Sequence, residues 1–82
     1  MTTKLDQLEQ EIALAERAVA DATKGNHAAG VELARTPASS AALQDAREAA
    51  QKLAAADADL DMLRKARVAA QAADTADAEA AA

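Results

Sequence analysis

The chain has no cysteine, phenylalanine, tyrosine or tryptophan, and only one proline, two glycines and one histidine in 82 residues. Each absence closes a door. Without cysteine there is no disulfide and no thiolate metal site. A reducing compartment is compatible with that usage and not required by it. Beta-branched and aromatic strand formers are scarce, which argues against a sheet. No run of about 18 apolar residues exists, so no membrane-spanning helix is expected. The opening stretch MTTKLDQLEQEIA is charged and lacks an apolar core segment, so it does not read as a signal peptide. Cytoplasmic or virion-associated residence is the expected localisation.

What is present is alanine. There are 28 alanines, and Leu, Glu, Gln, Lys and Arg supply most of the remainder. Alanine is the best helix former and those five follow it closely, so the chain is expected to be all-α. Only 14 larger apolar residues remain: eight Leu, three Val, two Met and one Ile. A core that thin is marginal, and small scaffolds commonly need a staple. Disulfides and thiolate metals being excluded, the remaining staples are self-association or a larger partner. Net charge is −5. A nucleic-acid-binding surface wants the opposite balance and a clustered basic face, so direct nucleic-acid binding is not expected.

The seven-residue repeat carries the architecture. Thr3 can cap a helix, with Asp6 three residues on as a weak capping box. Leu5, Leu8, Ile12, Ala15, Val19 and Ala22 then alternate at spacings of three and four, the pattern of a coiled-coil seam. The same register continues through Asn26, Ala29 and Leu33. Lys24-Gly25 is also a helix-ending signal, so two readings compete. Either the chain breaks at 25–30, or the helix continues to Arg35 at a cost of about 1 kcal/mol per glycine. Seam continuity and a Glu32–Arg35 pair favour the second. Pro37 lacks an amide donor and pushes Thr36 out of helical geometry. Ser39 or Ser40 can cap the next helix, unless Thr36-Pro37 serve as N-cap and N1. The fold class is therefore an antiparallel, coiled-coil-like helical hairpin. Helix 1 covers about 3–35, the turn 36–40 and helix 2 about 40–78. The second seam reads Ala42, Ala46, Ala49, Leu53, Ala56, Leu60, Leu63, Arg67 and Ala70. Glu48–Lys52 and Asp61–Lys65 are acid-then-base pairs at i,i+4. Residues 1–71 form the hairpin unit, and 72–82 an Ala/Asp-rich tail or overhanging helix end.

Four stretches invite a functional reading. Asn26-His27 offers one imidazole, but no second His and no Cys to share a metal, and a two-helix hairpin builds no pocket for nucleophilic catalysis. Asn26 at a seam position instead reads as a determinant of register or oligomer state. Asp57-Ala-Asp-Leu-Asp61 opens like a calcium loop, then fails: Met62 stands where the loop needs glycine and Val68 where it needs glutamate. Arg64, Lys65 and Arg67 are the one basic cluster, with acids one turn before them. Leu14, Val31, Leu43, Met62 and Val68 lie off the seam. Large apolar residues outside so narrow an interior suggest a second contact surface, unless the register shifts near the glycines and they belong to the core.

No catalytic, metal or cofactor residue is assigned, and the chain is expected not to be an enzyme. Alanine-rich acidic helical chains of this size are common among small phage and bacterial accessory proteins from GC-rich genomes, and the composition resembles theirs. The leading expectation is a helical interaction or assembly protein, a homo-oligomer or a subunit of a larger complex. The alternative is a small acidic inhibitor, of the phage counter-defence type, that covers a basic nucleic-acid-binding surface on a partner enzyme. Salt separates them, because charge pairing is screened and apolar contact is not.

Overall fold

The computed structural model describes residues 3–81, with side-chain placement through Ala76. Two helices account for nearly all of it: α1, Lys4–Arg35, and α2, Ser40–Ala81. They pack antiparallel as an all-α hairpin 67 × 20 × 13 Å in extent.

Local chemistry sets each helix end. The Thr3 hydroxyl accepts from the Asp6 amide at 3.0 Å, and the Asp6 carboxylate accepts from the Thr3 amide at 3.3 Å. The capping box is thus complete. At the other end of α1, the Thr36 amide and hydroxyl both donate to the Glu32 carbonyl, satisfying one of the carbonyls a helix end leaves open. Pro37 follows, and the Ser39 amide donates back to the Thr36 carbonyl at 3.0 Å. That bond closes a four-residue turn with proline at its second position, where its fixed φ fits. Ser39, not Ser40 or Thr36, caps α2: its hydroxyl accepts from the Ala42 amide at 3.2 Å.

The break at 25–30 does not occur. α1 is continuous across Lys24-Gly25-Asn26, and neither glycine has positive φ. The two glycines together cost about 2 kcal/mol of helix propensity. Ending the helix there would have lost the seam contacts of Asn26, Ala29 and Leu33, and seam continuity wins. α2 runs further than the expected end near 78, to Ala81.

Burial follows the heptad register residue for residue. In α1 the buried or half-buried positions are Leu5, Leu8, Ile12, Ala15, Val19, Ala22, Asn26, Ala29 and Leu33. In α2, through Ala76, they are Ala42, Ala46, Ala49, Leu53, Ala56, Leu60, Leu63, Arg67 and Ala70. Because the turn centres between Pro37 and Ala38 and both helices rise equally, residues whose numbers sum to about 75 sit at one height. Each α1 seam residue then has an α2 seam residue opposite it. Large mostly meets small: Leu33 with Ala42, Ala22 with Leu53, Val19 with Ala56, Ala15 with Leu60. Ile12 with Leu63 is the large-on-large layer, and Ile12, 3% exposed, is the most buried residue. Toward the turn, Ala29 with Ala46 and Asn26 with Ala49 make a thin waist. Leu5 reaches the height of Ala70, and every residue from Gln71 to Ala76 is exposed. The last turns of α2 therefore extend beyond its partner helix.

Candidate protein-interaction surface

A hairpin seam leaves two flanks, one on each side of the buried line. Positions just beyond the seam in α1 (Ala18, Gly25) and in α2 (Asp45, Lys52, Asp59) fall on the first flank. Thr23 and Gly30 of α1, with Leu43 and Ala50 of α2, fall on the second.

The first flank contains a groove of about 700 Å³. Its floor is Ala18, Ala22, Gly25, Ala29, Ala49 and Ala56. Asp21, Asp45 and Glu48 stand along its rim with one base, Lys52. The groove exists because the thin waist supplies no side chain larger than methyl on this side. Gly25 deepens it: a Cβ built there would meet nothing within 4 Å.

All five off-seam apolar residues are exposed, so they are not misplaced core. Leu14 and Met62 are 60% and 67% exposed. Both belong to the first flank, at nearly the same height, below the groove. Leu43 and Val68 belong to the second flank, near opposite ends of the hairpin, and Val31 lies on the outer back of α1. The structure thus brings together two of the five and separates the others. A shallower depression of about 410 Å³ beside Leu14 is lined by Gln10, Ala13 and Arg17.

The remaining candidates resolve simply. Asn26 is half-buried in the seam, at the height of Ala49. His27 is exposed one position along. Among the described residues no group of three metal-ligating side chains converges. Asp57, Asp59 and Asp61 are exposed, and Asp61 is bonded to Lys65 at 2.9 Å. That hydrogen bond, and then the opposite charge, hold the Lys65 ammonium above its ordinary pKa. Arg64, Lys65 and Arg67 do not form one basic patch, because Arg67 turns into the seam at the height of Leu8 while Lys65 faces outward. The expected Glu48–Lys52 pair is replaced by a bond from the Gln44 amide to the Glu48 carboxylate at 3.1 Å. Glu32 and Arg35 form no ion pair. No described helix is long and apolar enough to cross a membrane.

Sequence reasoning did not single out the groove. Its signal was present, in Ala18, Ala22, Gly25 and Ala29 at spacings of four, three and four, the small residues that let another backbone approach. No protein-family model, curated protein or solved structure matches the chain.

Proposed function

We propose that this hairpin is a non-enzymatic association module that works by oligomerisation or by docking onto a larger assembly, as a phage structural or accessory component would. One observation supports it most. Leu14 and Met62, more than half exposed, stand beside a groove floored by alanine and glycine on the same flank. Exposed large residues next to an empty small-residue groove are what an unoccupied helix-packing surface looks like. The half-buried Asn26 would then fix register or oligomer number, and residues 72–82 would act as an arm reaching past the hairpin.

Sedimentation equilibrium with circular dichroism tests this at two protein concentrations and at low and high salt. Helicity and mass that rise together with concentration, and persist in high salt, are the expected result. A stably folded monomer at micromolar concentration would refute it.

The acidic rim of the groove, three carboxylates to one base, favours a second reading, an acidic inhibitor of a basic nucleic-acid-binding surface. Its partner binding should fall steeply between low and high salt, whereas apolar docking should not.

A further inference from the structure

We infer that the first flank is a self-complementary interface, and that its occupant is a second copy of this chain packed antiparallel into a four-helix dimer. The inference rests on the association reading above and names its partner and its geometry.

A compact folded chain of 8.4 kDa exposes about 4,600 Å². This one exposes 6108 Å², about 1,500 Å² more. A stable interface removes about 800 Å² from each partner. The two-helix part of one flank, about 48 Å long and 20 Å wide, is large enough to supply it.

A two-fold interface presents one patch to itself, so any knob must find its hole on the same patch. Here knobs and hole are offset along the flank. Leu14 and Met62 stand near one height, and the groove centres about ten residues, roughly 15 Å, closer to the turn. Place a two-fold axis across the flank midway between them, near the height of Val19 and Ala56. It sets Leu14 opposite Gly25 of the second copy. The same axis sets Met62 opposite Ala49 of that copy. Both knobs thus enter the groove together, and reciprocally.

With that axis, Lys52 faces Asp59 of the second copy, and the pair occurs twice. Glu11 faces Ala28 and Asp45 faces Ala66. Those two acids therefore meet alanines. Like charges approach at two places: Asp21 of the groove rim lies about 4.5 Å in height from its own copy, and Arg35 nears Lys4 at the solvent-exposed outer ends, where charge is screened.

The test uses the full chain and its lack of cysteine. Sedimentation equilibrium of the wild type should give a dimer. Ala18→Cys, close to the axis, should be linked across the dimer by a short bis-maleimide. Ala20→Cys, on the other side of α1, should not. Gly25→Gln fills the hole without an internal clash, since nothing lies within 4 Å of that Cβ, and glutamine favours helix over glycine. It should raise helicity and weaken association about tenfold or more. Lys52→Asp and Asp59→Lys should each weaken the dimer, and the double variant should recover it. Four results would overturn the inference. A dimer linked through Ala20→Cys, or one that Gly25→Gln leaves untouched, removes this interface but leaves association by another surface standing. A stably helical monomer at micromolar concentration removes both. A poorly helical monomer removes the second copy as partner, and leaves docking onto a foreign one.

Discussion

The two mid-helix glycines give the sharpest stability experiment, because the sign of the effect decides between two structures. In a continuous α1 both have ordinary helical φ, and a Cβ at either meets only open space. Gly25→Ala and Gly30→Ala should each then stabilise by the helix-propensity difference, about 0.8–1 kcal/mol. Part of the gain comes from restricting the unfolded chain. The two sites share no partner, so the double variant should gain about 2 kcal/mol. For a domain of this size that is roughly 8–16 °C in Tm. Urea unfolding followed by far-UV circular dichroism, at one fixed protein concentration below association, measures it. The concentration must be fixed because association would itself shift the midpoint. If Gly25 instead ended a helix in left-handed geometry, Gly25→Ala would destabilise by about 1 kcal/mol or more. A loss at Gly25 alongside a gain at Gly30 would refute the unbroken helix.

Other positions separate load from ornament. Ile12→Ala should cost about 2–5 kcal/mol, much of the stability available to a domain of this length, whereas Leu14→Ala at a concentration below association should stay within about 0.5 kcal/mol. Equal losses at both would put the seam in the wrong place. Ser39→Ala should cost about 1 kcal/mol through the lost cap while Ser40→Ala is nearly neutral, and chemical denaturation of the pair shows which serine caps. Asp61→Asn should return Lys65 to its ordinary titration, read by NMR of its side chain. The Lys65 pKa is raised in the folded chain, so the pair's contribution is present below the unfolded lysine pKa. It is lost as pH rises through the folded value, and the variant should lack that alkaline dependence.

The backbone path was legible because heptad spacing is a geometric statement. Spacings of three and four leave one line per helix, and Leu5 through Leu33 and Ala42 through Ala70 lie on it without exception. Even polar Asn26 and charged Arg67 sit where the register puts them. Pro37 marked the reversal because it cannot donate a helical hydrogen bond. The glycines were ambiguous for an energetic reason: a propensity cost near 1 kcal/mol each is comparable to what a few seam contacts return. Surface pairing was less legible still. Glu48 had both Gln44 and Lys52 within helical reach and took the amide, and exposed pairs differ by only tenths of a kcal/mol. One helix shows only half of the groove, the small-residue line Ala18, Ala22, Gly25 and Ala29. The groove forms where the alanines of α1 meet the alanines of α2, a property of their shared height.

The uneven seam also sets the order in which the hairpin closes and opens. Next to the turn, pairing Leu33 with Ala42 encloses few residues but buries little, and Ala29 with Ala46 buries less. At the far end, pairing Ile12 with Leu63 encloses about 50 residues instead of about 8, an added closure cost of roughly 1.6 kcal/mol. Burying Ile12 and Leu60 returns about 1.5–3 kcal/mol each, and half-buried Leu63 adds less. The strong clasp is therefore at the tips and the weak one at the bend. A common picture of a hairpin zips from its turn. This one is held like tongs pinned at their jaws, and amide hydrogens beside Ala46 and Ala49 should exchange sooner than those beside Ile12 and Leu60.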